Sequence, residues 1–243
     1  MANRIFWAGD STVKENTIFS FPQTGIGQVF RLFVKRNITV IDLAENGRST
    51  KSYIDEGRLD VISKRIEKDD YLFIQFGHND EKINDPNRYT EPYGEYQDNL
   101  LKYIDTARNV GAHPVLITSL YRRVFNDDKK TLKPGNHGEY PNAMIKLANR
   151  EGVPVIDLCS ISFKMIEEAG YEETKKWFLH VPAGRYKKFM DGKEDNSHLQ
   201  YEGAVIFASA IAKGLEKLGG IYKDLLLDEA DNLEDPSLLI DIV

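Results

Sequence analysis

The sequence predicts a three-layer α/β/α sandwich with a mainly parallel sheet of about five strands. Three observations predict it. Five short runs rich in apolar residues occupy residues 5–8, 38–44, 71–76, 114–120 and 154–159. They are mostly apolar rather than strictly alternating, as is typical of parallel strands buried on both faces. Segments with helical periodicity lie between the later runs, and the chain therefore alternates between the two kinds of element.

Turn-forming or charged residues mark the ends of the strand predictions. The first run stops at Gly9, and the second is followed by the turn sequence of residues 45–47. The third follows three charged residues, 68–70, and stops at Gly77.

Three segments have apolar residues close to a 3.6-residue period and predict helices over residues 93–110, 140–151 and 203–218. Each is followed by a glycine that fits a helix C-terminus, namely Gly111, Gly152 and Gly219. Parallel strands joined by such helices predict a flavodoxin-like arrangement of the sheet.

The chain shows no linker-like break and no internal repeat, so we predict one domain over residues 1–243, with 228–243 as an acidic C-terminal tail. Two long loops are predicted at residues 121–139 and 180–195, because these segments are rich in polar residues, proline and glycine. Ligands of open α/β sheets bind outside the carboxyl ends of the strands, and loops at that edge are candidates for binding.

Composition excludes several classes of function. The 243 residues carry 32 Lys and Arg against 38 Asp and Glu, a net charge of −6 without a long basic run, which argues against a nucleic-acid partner. No apolar stretch approaches the roughly 18 residues that span a bilayer, so no membrane partner is expected. Cys159 is the only cysteine, so no intrachain disulfide can form.

The opening residues, MANRIFWAGDSTVKEN, lack a sustained apolar segment and reach Asp10 early, so we expect no signal peptide and a cytoplasmic location. Secretion after removal of a leader is the alternative. The oligomeric state has no signal in the sequence.

Four polar motifs follow predicted strands or precede the last predicted helix. They are Gly9-Asp10-Ser11, Asn46-Gly47-Arg48-Ser49-Thr50, Gly77-His78-Asn79-Asp80 and Asp195-Asn196-Ser197-His198. Each alone is equally well explained as a turn or a helix cap. Their joint occurrence, in this order, favours a shared site.

The residue types of these motifs suit acyl transfer. A histidine removes and returns the proton of a serine hydroxyl, and an aspartate fixes the histidine tautomer. A glycine lets a backbone N–H approach a ligand oxygen closely, and the Asn79 amide can donate to a developing oxyanion.

With these motifs in place, the sequence resembles the SGNH/GDSL hydrolase superfamily, whose marker residues match Ser11, Gly47, Asn79 and His198, with Asp195 as the acid. Within it, the segments FWAGDSTV, ENGRST, FIQFGHND and FMDGKEDNSHLQYEGA are most similar to rhamnogalacturonan acetylesterases. The resemblance implies a serine esterase that removes O-acetyl groups from pectic oligosaccharides. Its catalytic residues would be Ser11, Asp195 and His198, and its oxyanion hole Ser11, Gly47 and Asn79.

The acetylated oligosaccharide implied by the resemblance needs binding residues as well. Acidic pectic sugars carry carboxylates that arginine can pair with, and aromatic rings can stack on sugar faces. The candidates for substrate binding are Arg48, His78, Tyr121, Arg123 and Tyr186. Ordinary surface or packing roles explain each of them equally well.

Neither a metal nor a cofactor is expected. The chain has no compact zinc-ligand spacing and no GxGxxG or GxxxxGK[ST] loop. Two alternatives to a pectic acetylesterase stay open. One is another ester hydrolase of the superfamily, such as a lysophospholipase, thioesterase or xylan acetylesterase. The other is a non-catalytic carbohydrate-binding domain.

Overall fold

The computed structural model describes residues 4–227, so the predicted tail over 228–243 lies outside the described residues. The main strands are β1 (Arg4–Gly9), β2 (Thr39–Asp42), β3 (Tyr71–Gln75), β4 (His113–Ile117) and β5 (Val155–Ile156). They form one parallel sheet in the order β2-β1-β3-β4-β5. This is the flavodoxin-like strand order, with helices on both faces, and the predicted fold class is confirmed.

The helices predicted over residues 93–110, 140–151 and 203–218 are confirmed, with small changes at their ends. The α-helices are α1 (Ile26–Val29), α2 (Thr50–Asp55), α3 (Arg58–Ser63), α4 (Glu95–Arg108), α5 (Tyr140–Glu151), α6 (Leu158–Ala169), α7 (Tyr201–Leu218) and α8 (Gly220–Lys223). Short 3₁₀ turns lie at Ile18–Ser20, Phe30–Leu32, Glu173–Lys176 and Lys187–Phe189.

The fifth strand is shorter than predicted, because residues 158–159 are the first turn of α6. Asp157 caps that helix, and its side chain accepts a hydrogen bond from the Ser160 amide at 3.2 Å. An apolar run alone does not distinguish a buried strand from the start of a buried helix, and the cap residue decides between them here.

Alternate residues of the central strands face opposite sides of the sheet. Ile5 and Trp7 pack with residues from α1, α6 and α7, whereas Phe6 and Ala8 pack with residues from α2 to α5. All four side chains are fully buried. The sheet is therefore covered on both faces, and the loops at its carboxyl edge remain available for a site.

The predicted loop over residues 180–195 is wrong in part, because both of its ends are strands. β6 (Phe178–Val181) and β7 (Lys193–Leu199) form an antiparallel hairpin that is separate from the main sheet. Polar residues dominate β7, so no alternating apolar pattern marks it as a strand. The loop predicted over 121–139 is confirmed: it carries no helix or strand, apart from an isolated bridge between Phe125 and Leu132.

No helix among residues 4–227 is both long and apolar enough to cross a membrane.

Asp42, at the end of β2, gives the stability of the fold a pH dependence. Its Oδ1 accepts a hydrogen bond from the Ala44 amide at 2.9 Å, while its buried Oδ2 has no partner among residues 4–227. Burial raises the pKa of Asp42 to about 7, despite the backbone hydrogen bonds that oppose the shift. Between pH 4 and 7 the folded state therefore holds a proton that the unfolded state has lost, so stability falls as pH rises.

We expect Asp42→Asn to remove this dependence. Between pH 5 and 8 the free energy of unfolding of the wild type should fall by about 2 kcal/mol relative to the variant. Urea denaturation at both pH values measures it, with the exposed Asp60→Asn as control. Parallel pH curves for the wild type and Asp42→Asn would show that Asp42 titrates normally.

Candidate active site

The site forms at the carboxyl edge of the parallel sheet. Ser11 follows β1, Gly47 follows β2 and Asn79 follows β3, and these strands are neighbours in the sheet. His198 arrives from the β6–β7 hairpin, 187 residues away from Ser11 in the chain. The structure thus brings all four of these predicted residues to one edge.

Asp10 shapes the turn that presents Ser11. Its Oδ1 accepts hydrogen bonds from the Thr12 amide at 2.9 Å and from the Thr12 hydroxyl at 2.8 Å. Its carbonyl accepts from the amides of Val13 and Lys14. Asp10 and Thr12 are buried while Ser11 is partly exposed, so the turn leaves the Ser11 hydroxyl at the surface.

Ser11, His198 and Asp195 form a continuous hydrogen-bonded chain. Ser11 Oγ lies 2.9 Å from His198 Nε2, and His198 Nδ1 lies 2.9 Å from Asp195 Oδ2. The side chains of His198 and Asp195 are 31% and 16% exposed, so a dissolved ester can reach the chain. This is the arrangement in which a histidine removes a serine proton and a carboxylate orients the ring.

An irregularity in the hairpin places His198 beside Ser11. Phe178 pairs with Leu199, but the next residue of β6, Leu179, pairs with Asp195. The intervening residues 196–198 have no register partner on β6 and bulge out of the hairpin. The bulge lets Asp195 and His198, three residues apart, meet side chain to side chain.

Asp195 is held as a carboxylate. Its Oδ1 accepts hydrogen bonds from the backbone amides of Ser197 and His198, each at 2.9 Å, while its Oδ2 contacts the imidazole of His198. Burial on its own raises the pKa of Asp195, but the hydrogen bond and charge of His198, together with the two amides, outweigh it. The pKa of Asp195 consequently lies well below its usual range.

Three N–H donors at this edge of the sheet are available to a ligand. Within residues 4–227, neither the Ser11 amide nor the Gly47 amide donates to another protein group. Gly47 has a φ of +73°, a conformation that favours glycine in this turn. Asn79 Nδ2 donates to the Arg48 carbonyl at 3.0 Å, and its second N–H is left for another acceptor.

Side chains outside the predicted set of site residues hold these donors in place. Arg88 Nη1 donates to Asn79 Oδ1 at 3.4 Å and fixes the orientation of the amide. Buried Asp80 accepts from the Thr50 amide at 3.0 Å and from the Thr90 hydroxyl at 3.0 Å. Asp80 thereby ties the Asn79 segment to the start of α2, which follows the Gly47 turn. Asp80 could have been predicted as a supporting residue, because it stands in the motif Gly77-His78-Asn79-Asp80. Arg88 lies outside all four motifs, so the sequence gives no sign of its role.

The predicted substrate-binding residues occupy different environments. Arg48 is partly exposed and paired with Glu56, with Nη2 to Oε1 at 2.9 Å. Tyr121 is buried, and its hydroxyl donates to the Lys133 carbonyl at 2.6 Å. Tyr186 is partly exposed and packs edge-on against Phe21. Only Arg48 and Tyr186 of these three are accessible to a ligand.

His78 is buried and packs edge-on against His137, with ring centroids 4.5 Å apart. Burial, together with the charges of His137 and Arg122, holds the pKa of His78 well below its usual range, so the ring stays neutral. This environment makes His78 part of the packing behind the site rather than a group that faces solvent.

Arg123 is buried as well, and it braces the bulge that carries His198. Its backbone amide donates to the Asn196 carbonyl at 2.8 Å, and its Nη1 donates to Asn196 Oδ1 at 3.1 Å. Its Nε donates to Thr174 Oγ1 at 2.8 Å, and it also donates to the Tyr171 carbonyl. Each guanidinium nitrogen therefore has a partner within the protein, and Arg123 acts on the site through Asn196.

No group of three or more His, Cys, Asp or Glu side chains within residues 4–227 is arranged to hold a metal ion.

Comparison with known proteins gives a consistent result. Residues 8–203 match the GDSL-like Lipase/Acylhydrolase family. The chain is 42% identical to rhamnogalacturonan acetylesterase RhgT of Bacillus subtilis, over 92% of this chain and 94% of that protein. It is 39% identical to the probable rhamnogalacturonan acetylesterase YesY of the same organism, over 90% and 95%. The crystal structure of Bacillus subtilis YxiM superposes with a TM-score of 0.76 at 23% identity, over 90% of this chain and 57% of that one.

Proposed function

Because the chain belongs to the GDSL-like lipase/acylhydrolase family, we propose that it is a serine esterase that removes O-acetyl groups from pectic sugars. Relatives at 42% and 39% identity, named as a rhamnogalacturonan acetylesterase and a probable one, support this substrate class. The single observation that carries the chemistry is the hydrogen-bonded chain from Ser11 through His198 to Asp195.

In the first half-reaction, Ser11 Oγ attacks the acetyl carbonyl carbon while His198 Nε2 takes the hydroxyl proton. Asp195 stabilises the resulting imidazolium through Nδ1. The amides of Ser11 and Gly47 and the Asn79 side chain donate to the tetrahedral oxyanion. His198 then returns its proton to the sugar oxygen, the C–O ester bond breaks, and an acetyl-Ser11 intermediate remains.

In the second half-reaction, His198 takes a proton from water, whose oxygen attacks the acetyl carbon. The second tetrahedral intermediate collapses, acetate leaves, and the proton returns to Ser11 Oγ. The overall reaction consumes one water and yields acetate, a proton and a free sugar hydroxyl, with no oxidant or other co-reactant.

Mass spectrometry of acetylated rhamnogalacturonan oligosaccharides tests the function. We expect the loss of acetyl mass without cleavage of the sugar chain. A series of 4-nitrophenyl esters of increasing chain length tests the main alternative. A preference for long acyl chains, with no acetate released from the oligosaccharides, would instead indicate a lipid-directed esterase.

Asn79→Ala should lower kcat by about 10²- to 10³-fold, or about 3 kcal/mol of transition-state stabilisation, because one oxyanion donor is lost. KM should change little, since the charge on that oxygen develops in the transition state. Steady-state acetate release measures both, with Asn149→Ala, an exposed asparagine on α5, as the matched control. A raised KM with an unchanged kcat would assign Asn79 to ground-state binding.

A further inference from the structure

A cleft of about 510 Å³ lies between the β6–β7 hairpin, the start of α7 and the loop that contains Phe21. Its lining includes His180 and Pro182 from the hairpin side, Gln200 and Tyr201 from the start of α7, and Phe21. None of these side chains takes part in the hydrogen-bonded chain of Ser11, His198 and Asp195. The cleft is therefore a feature that the proposed chemistry does not use.

The cleft borders the chain segment that follows His198. Gln200 and Tyr201 follow His198 by two and three residues, and the amide of Thr24, close to Phe21, donates to the Leu199 carbonyl at 3.0 Å. His180 Nε2 lies 2.8 Å from Asn196 Oδ1, in the bulge that carries His198. His180 thus joins the hairpin side of the cleft to the bulge, and Thr24 joins the Phe21 loop to Leu199.

This position matters because His198 Nε2 must give its proton to the sugar oxygen that leaves. The sugar part of the ester must accordingly lie on the His198 side of Ser11 when the acetyl carbon reacts. A chain of sugar units that extends from this point toward residues 200–202 would enter the cleft.

The lining combines aromatic rings with positive charge. Phe21 and Tyr201 are 49% and 52% exposed, and the Phe21 ring meets Tyr186 edge-on. Arg185 lies over the ring of Tyr186 at 5.4 Å, and both side chains line the cleft. Lys175 and Lys176 also line the cleft, each in an exposed pair with a glutamate. Glu202 is the only acidic residue among the lining side chains.

We propose that this cleft is a subsite for a carboxylate-bearing sugar unit of the substrate, with Arg185 paired to the carboxylate and Tyr186 packed against the sugar ring. A guanidinium that already lies over an aromatic face offers its N–H groups to a planar carboxylate. A uronate-containing oligosaccharide meets both requirements. The proposal rests on the proposed function for the identity of the oligosaccharide, but it concerns binding and not acetyl transfer.

Binding of unacetylated rhamnogalacturonan oligosaccharides, measured by titration calorimetry at low salt, tests the subsite independently of catalysis. A second ligand is the same preparation with its carboxyl groups reduced to alcohols. We expect Arg185→Ala to weaken binding of the acidic ligand about tenfold and to leave binding of the reduced ligand unchanged. Tyr186→Ala should weaken binding of both ligands, because packing of the sugar against the ring does not depend on charge.

Lys217→Ala is the matched control, since it removes one exposed positive charge at the opposite end of α7. Arg185 is exposed, and thermal melts of each variant establish that the fold is intact. Equal affinity of the wild type for the two ligands, or equal effects of Arg185→Ala and Lys217→Ala, would overturn the subsite. Binding with the expected pattern but no acetate release from acetylated oligosaccharides would instead leave the subsite standing and refute the proposed function.

Discussion

Ser11→Ala should lower kcat for acetate release by about 10⁴- to 10⁶-fold, the largest effect expected of any single substitution. The variant keeps the amide of Ser11 and the other oxyanion donors, but it has no oxygen that can form the acetyl-enzyme. Residual hydrolysis would come from binding and oxyanion stabilisation alone. Acetate release under substrate saturation measures the effect.

The fold should not change, because Ser11 is partly exposed and the turn around it is held by Asp10 and Thr12. The exposed Ser63→Ala, at the end of α3, controls for the loss of a serine hydroxyl elsewhere. A serine-reactive phosphonate should label the wild type at Ser11, as peptide mass spectrometry can determine. A Ser11→Ala enzyme that retains its rate would remove Ser11 from the role of nucleophile.

Asp195→Asn should lower kcat by about 10⁴-fold, the second largest effect. The Asn oxygen can still accept the amides of Ser197 and His198, so the bulge keeps its shape. Its amide nitrogen would then face His198 Nδ1, which favours the wrong tautomer of the ring. The group that stabilises the imidazolium would be lost at the same time.

The low pKa of Asp195 also bears on how the rate of the wild type depends on pH. Because the carboxylate stays charged far below neutral pH, its own protonation should not shape the pH–rate profile of the wild type at mildly acidic pH. Asp191→Asn, an exposed carboxylate on the same hairpin, is the control. A similar rate loss in both variants would point to a general charge effect.

Much of the site follows from the short motifs and the strand runs alone. The apolar runs placed Ser11, Gly47 and Asn79 after predicted strands, and this follows from local patterns. The predicted resemblance to rhamnogalacturonan acetylesterases is confirmed by the relatives at 42% and 39% identity. Local information was also available for the fifth strand, where Asp157 marks the helix start that shortened it.

The bracing of the site had no comparable local signal. Arg123 was a candidate for substrate binding, yet it is buried and bonded to Asn196, 73 residues further along the chain. Nothing in the neighbours of Arg123 reveals that partner. Tyr121, a second candidate, is likewise part of the core.

By itself, the sequence determined the fold class, the family and the residues that meet at the carboxyl edge of the sheet. The spacing of apolar residues and the short motifs can be recognised from residues that are close together in the chain. Only the tertiary structure decided how His198 reaches Ser11, through the three-residue bulge of β7, and which side chains hold Asn79 and Asn196 in place. The register of a hairpin and the partner of a buried guanidinium depend on contacts between distant segments. Those contacts exist only once the chain is packed.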